Sequence, residues 1–159
     1  MAVSNPNIVI LPFPAQGHIK PMLMLADLLT GAGLPVTFVN TEHNHRHIAD
    51  HRRRRPAVEF LTIPDGLPPD HPRSGIFLID LFSSIVAAGG PALKTLVASM
   101  RPAPACIISD GMMSFAVDVA AEVGVPAVAF RTYSASCTWT TLHLRRLVED
   151  GEIPISLGI

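Results

Sequence analysis

The sequence predicts an α/β domain, a Rossmann-like doubly wound parallel sheet, and three observations predict it. Short apolar runs rich in β-branched residues recur along the chain, stretches of helical periodicity fill the intervals between them, and Gly or Pro marks most of the junctions. The chain has 159 residues, 48% of them hydrophobic, with a mean hydropathy of +0.37, so one domain spanning 1–159 has material for a real core.

The first strand is read at residues 7–13 (NIVILPF), a nearly unbroken apolar run of the kind buried on both faces of a parallel sheet. Pro14 and Gly17 break it. From His18 onward Met22, Leu25, Ala26, Leu28 and Leu29 recur at helical spacing, and Gly31 and Gly33 supply the stop. Residues 35–40 (PVTFVN) form a second strand, followed by a helix from about Glu42 with Thr41 as its N-cap. Residues 57–63 (AVEFLTI) read as a third strand. Four prolines and a glycine make residues 64–73 a loop long enough to carry function. Two helices are expected next, at 76–88 and 91–100. After a break at 101–104, residues 105–109 (ACIIS) form a strand that ends at Asp110. A helix over 113–123 stopped by Gly124, a strand at 126–130 (PAVAF) and a last helix over 134–149 complete the alternation. The tail, 151–159, continues into no further element.

Composition narrows the partners. A formal net charge of −1 gives no electrostatic case for nucleic acid or an anionic membrane. The N-terminal apolar run is short, lacks a basic lead and is broken by Pro12 and Pro14, so it reads as neither a signal peptide nor a membrane span, and a cytoplasmic location is expected. Cys106 and Cys137 are too few for a disulfide framework and are expected to be two ordinary buried thiols.

The chemistry concentrates where strands leave the sheet. His18 is placed in the first turn of a helix directly after the first strand, where the helix dipole disfavours imidazolium and ligands of open α/β sheets bind. That placement suits a catalytic base; it also suits a ring that caps or packs on the first turn. Asp110 stands at the corresponding end of the fourth strand, where it can fix the imidazole's tautomer or cap the following helix. A GxSxG elbow, a GxGxxG fingerprint and a Walker A sequence are all missing, which argues against serine hydrolysis and NAD binding. His43, His45, His47 and His51 form a dense cluster, and His47 and His51 share a helix face by spacing. Without HExxH, and among arginines, they read as a solvated face and no metal is expected. Arg52–Arg55 read as an exposed basic helix end. Phe77, Phe82, Met112, Met113 and Phe115 line an apolar pocket near the His18 edge or pack in the core.

Taken together, PFPAQGHIKPML, TFVNTEHNHRH, IPDGLPP, CIISDGMMSFAVDVAAEVGVPAVAF and RRLVEDGEIPI resemble the N-terminal half of plant UDP-dependent glycosyltransferases, in the right order and over essentially the whole chain. The similarity is greatest to the subgroup that glucosylates iridoid aglycones such as deoxyloganetin. The resemblance implies the N-terminal, acceptor-binding domain of a GT-B fold, with the UDP-sugar-binding C-terminal domain absent from the chain. It implies inverting transfer of a sugar, expected to be glucose, from a UDP-sugar cosubstrate to a hydroxyl of a small terpenoid or phenolic acceptor, with no cofactor. His18 matches the family's general base and Asp110 its charge partner. Gly17 and Thr132 match donor-sugar contacts, while Phe82, Met112 and Met113, with the loop at 65–69, correspond to acceptor-pocket walls. Where the family usually has tryptophan before that threonine, this chain has Arg131. A different class of function also fits a chain without the donor half: a noncatalytic small-molecule binding or interaction module.

Overall fold

The computed structural model describes residues 7–153. They form a five-stranded, wholly parallel sheet: β1 (Ile8–Leu11), β2 (Val36–Thr41), β3 (Val58–Ile63), β4 (Cys106–Asp110) and β5 (Ala127–Phe130), in the spatial order β3-β2-β1-β4-β5. The helices are α1 (Gln16–Gly31), α2 (Glu42–His47), α3 (Ala49–Arg53), α4 (Leu78–Ser99), α5 (Phe115–Val123) and α6 (Ala135–Glu149). The doubly wound reading of the sequence is therefore correct. The tail at 154–159 lies outside the described residues.

Burial follows the pleat. All four residues of β1 are buried: Val9 and Leu11 join the core beneath α4 and α5, while Ile8 and Ile10 join the one beneath α1 with Ile19, Met22, Leu23 and Ala26. β1 lies between β2 and β4, pairing Ile8 with both Val36 and Cys106. The strand order reverses between β1 and β4, and an open parallel sheet binds its ligands in the crevice outside the strand ends at that switch.

Three local expectations need correction. The first strand stops at Leu11, because Pro12 and Pro14 have no N–H to give the ladder. The two helices expected across 76–100 are one helix of 22 residues, entered through a 3₁₀ turn at Gly75–Phe77. Pro91 costs α4 one hydrogen bond, yet Leu81, Ile85, Gly89, Leu93 and Val97, spaced by four, keep one buried stripe running through it. That segment, Gly75–Ser99, is long and apolar enough by composition to cross a membrane; here it packs that stripe against β3 and α5. The helix after β2 is two short ones, parted at Ile48, whose side chain is 1% exposed and belongs to the core under α1. Thr41 does cap α2, its Oγ1 accepting from the Asn44 N–H at 3.2 Å. The thiols also differ from expectation: Cys106 is half-buried on β4, and burial raises its pKa, but Cys137 on α6 is exposed.

Between β3 and α4 the loop at 64–73 is wound around one cation. Arg73 donates from Nε to Asp65 Oδ2 and from Nη2 to Asp65 Oδ1, both at 3.2 Å. It also donates to the carbonyls of Leu67 (3.0 Å), Pro68 (2.7 Å), Pro69 (3.4 Å) and His71. Loop carbonyls with no ladder partner are thus satisfied by a single guanidinium.

Candidate active site

The ends of β1 and β4 flank the reversal of strand order, and each delivers one polar group to it. After β1, Ala15 stands as the N-cap of α1, so His18 is the third helical residue, its N–H bonded to the Ala15 carbonyl at 2.9 Å. Asp110 is the last residue of β4 and is buried. His18 Nδ1 lies 2.8 Å from Asp110 Oδ2 across 92 residues of sequence. The proximity expected from the sheet edge is therefore real.

Asp110 does not cap α5, whose N-cap position is Ser114; it braces the turn that leads there while meeting the imidazole. Its Oδ1 accepts the Met112 N–H at 2.9 Å, holding the turn before α5, and its Oδ2 faces the imidazole. An ionised carboxylate only accepts, so the ring hydrogen belongs on Nδ1 and the lone pair on Nε2. Nε2 has no hydrogen-bond partner among the described residues, and the His18 side chain keeps 23% of its surface open while that of Asp110 has none.

Thr132, two residues beyond β5, is in the same cluster. Its Oγ1 is 2.8 Å from His18 Nδ1 and 3.3 Å from Asp110 Oδ2. The family resemblance implies a sugar contact for it; no local signal marks its engagement with the imidazole and the carboxylate. Gly17 is exposed in the first turn of α1, with open space where a side chain would begin. Phe13 packs edge-on to the His18 ring at 5.2 Å and tilted against Phe82 at 6.3 Å, which sets Phe82 one ring away from the imidazole. Phe82 and Met112 are half-buried, whereas Met113 is 0% exposed and serves the core. Phe115 is likewise core, packed under α4, and Phe77 is exposed.

Two further neighbours shape the edge. Arg131 lies over Gly111, where an added Cβ would fall 2.6 Å from the Arg131 Cδ, and its guanidinium meets the Tyr133 hydroxyl and ring. Asn44 Nδ2 donates to the Pro14 carbonyl at 2.7 Å, tying the loop that carries α1 to α2. A hollow beside the start of α1 is lined by Ala15, Gln16, His43, His47 and Arg73 among others. Two of the α2 histidines face each other here: the His43 and His47 rings lie 4.7 Å apart, tilted by 33°, and His47 Nδ1 bonds the His43 carbonyl. Burial, then the charge of Arg73, lowers the pKa of His43; burial, then Arg52, lowers that of His45. Among the described residues no three His, Cys, Asp or Glu side chains converge as a metal would need.

Fold and site together define a class: a Rossmann-like domain that presents a carboxylate-oriented imidazole at the edge where the strand order of its sheet reverses. Residues 5–153 match the family described as glycosyltransferase, N-terminal domain, and the chain belongs to that family. Its relatives are plant UDP-glycosyltransferases. It is 40% identical over 164 residues to 7-deoxyloganetic acid glucosyltransferase of Catharanthus roseus, covering 94% of this chain and 34% of that one. It is 42% identical to (R)-mandelonitrile beta-glucosyltransferase of Prunus dulcis, covering 94% and 33%. The chain thus spans about a third of the length of the curated relatives it matches. In three dimensions it resembles LpCGTa in complex with UDP, with a TM-score of 0.77 and 25% identity over 94% of this chain and 35% of the other. The fold is also that of Phytolacca americana UGT2 complexed with UDP-2fluoro-glucose and pterostilbene, with a TM-score of 0.76 and 22% identity over 94% and 36%. The expected fold, that of the first domain of GT-B glycosyltransferases, is the one observed.

Proposed function

We propose that this chain is the acceptor-binding part of a cytoplasmic UDP-glucosyltransferase, with His18 as the general base and Asp110 as the group that orients it. The observation that carries the reading is the 2.8 Å contact between His18 Nδ1 and Asp110 Oδ2, with Nε2 unpartnered among the described residues. An acceptor hydroxyl seated there gives its proton to Nε2 as its oxygen forms a bond to the anomeric carbon of the UDP-sugar. The bond from that carbon to the UDP oxygen breaks from the opposite side, so configuration inverts and UDP departs. Asp110 stabilises the imidazolium that forms without taking the proton itself.

Supporting contacts follow from position. Phe82, one ring from the imidazole across Phe13, and Met112, two residues past Asp110, offer apolar surface for a terpenoid or phenolic acceptor, and Gly17 gives a sugar an unobstructed approach to the first turn of α1. Neither a cofactor nor a metal is required, because the departing diphosphate is already a good leaving group and the base is built in. The relatives named for glucosyl transfer favour UDP-glucose as the donor.

The test is a chimera of this chain with the remaining two-thirds of the Catharanthus roseus relative, assayed for glucosyl transfer from UDP-glucose to a panel of small alcohols, with the chain alone beside it. Transfer by the chimera that disappears with His18→Ala bears out the reading. Undiminished transfer by the His18→Ala chimera overturns it.

A further inference from the structure

We infer that Thr132 is a positioning residue: its hydroxyl, together with Asp110, holds His18 in the tautomer that keeps Nε2 free. The inference deepens the reading of His18 as a base. Three strand ends converge here, with His18 following β1, Asp110 ending β4 and Thr132 following β5. Thr132 is held close to Asp110 by the sheet itself, because Asp110 is in register with Phe130 and the Gly111 N–H bonds the Phe130 carbonyl at 2.9 Å.

The hydrogen count in this triangle has one consistent solution. Asp110 Oδ1 is occupied by the Met112 N–H, and Oδ2 lies 2.8 Å from His18 Nδ1 and 3.3 Å from Thr132 Oγ1. The Thr132 hydroxyl must give its hydrogen to Oδ2, since a carboxylate has none to offer. Its oxygen, 2.8 Å from Nδ1, then accepts a share of the Nδ1 hydrogen. Were Nδ1 bare, its lone pair would face the carboxylate oxygen at hydrogen-bond distance with nothing between them. Two acceptors on one N–H fix both the ring's rotation and its tautomer more tightly than the carboxylate alone, and they aim Nε2 away from the cluster.

The experiment is long-range ¹H–¹⁵N NMR of the histidine rings in this chain, above the ordinary titration range of imidazole, with His18 assigned by its loss in His18→Gln. In the unmodified chain the Nδ1 and Nε2 resonances of His18 are expected to stand far apart, as for a single Nδ1–H tautomer. In Thr132→Val they draw toward one another as two tautomers exchange, and Thr132→Ser restores the separation. Should the valine chain lose its dispersed amide spectrum, Thr132→Ala takes its place. Ring resonances that stay put when the hydroxyl is removed, or a serine variant that shifts as far as valine, would overturn the assignment. The spectrum does not depend on turnover, so it is decided separately from whether His18 is the base.

Discussion

Asp65 and Arg73 meet through two hydrogen bonds of 3.2 Å with 6% of each side chain exposed, an ion pair buried in the loop between β3 and α4. Breaking one side of such a pair leaves an uncompensated charge, which costs about 3–5 kcal/mol. Arg73→Met is therefore expected to lower the unfolding free energy by about that much. Asp65→Asn combined with Arg73→Met should lose less than Arg73→Met alone, because no bare carboxylate remains. Urea titrations of the variants measure both; a single variant within about 0.5 kcal/mol of the parent, the range of ordinary surface changes, would contradict the burial.

Gly66 sits in the same loop at φ +80, and a Cβ there would fall 2.5 Å from Ser84 Oγ, 2.9 Å from the Ala88 Cβ and 3.3 Å from the Ser84 carbonyl oxygen. Alanine meets a left-handed backbone and the body of α4 together, for an expected loss of about 2–4 kcal/mol. Gly33 also has φ +80, but a Cβ there would meet nothing within 4 Å, so Gly33→Ala should lose the backbone part, about 1–2 kcal/mol. Thermal melts of the two variants, compared directly, separate strain from collision.

His43 and His45 both have pKa values lowered from the model-peptide 6.5, by burial first and then by Arg73 and Arg52 respectively. Below 6.5 the unfolded chain takes up protons that the folded chain resists. Stability from these two rings is therefore complete above that pH and is lost as pH falls through it toward the folded values. Denaturation midpoints should fall on acidification from pH 7 toward 5, and His43→Gln with His45→Gln should flatten that slope. An unchanged slope would assign acid sensitivity to other groups.

For the proposed catalytic pair, His18→Ala in the chimera is expected to reduce kcat at least about 100-fold, the lower end of what a positioned base contributes. Asp110→Asn keeps an acceptor for the Met112 N–H but loses the acceptor-only oxygen that fixes the ring hydrogen. It should reduce kcat strongly with little change in KM. Steady-state kinetics on both variants check this, and a KM effect without a kcat effect would make the pair a binding element.

The alternation of strands and helices was legible because each strand is a short apolar run, and β1, central in the sheet, shows it most clearly. His18 and Asp110 were legible for the same reason, since a parallel sheet sends every βα junction to one edge. What local signals could not show was set by contacts distant in sequence. Pro91 and the adjacent Gly89–Gly90 look like a helix break until α5 is packed against them, and the division at Ile48 reflects one side chain claimed by the core under α1. Thr132 could be placed near the site only by its motif, because its bond to the imidazole spans 114 residues. The Asp65–Arg73 clamp gave no signal beyond a proline-rich stretch. Met113 reads in sequence as a pocket wall beside Met112, but it is fully buried in the core against which Met112 is only half-buried.

Gly89 has a reach beyond its own helix. A Cβ there would stand 3.1 Å from the Phe115 Cζ and 3.2 Å from the Ile85 Cγ1, close enough that its neighbours would have to yield by a few tenths of an ångström. Phe115 is the first residue of α5, and the turn before it is the one Asp110 Oδ1 holds. A displacement so slight is trivial for packing but comparable to the margin within which a hydrogen bond to an imidazole is strong or weak. A single methyl group added at Gly89 would thus press, through one phenyl ring, on the helix that follows the turn Asp110 holds.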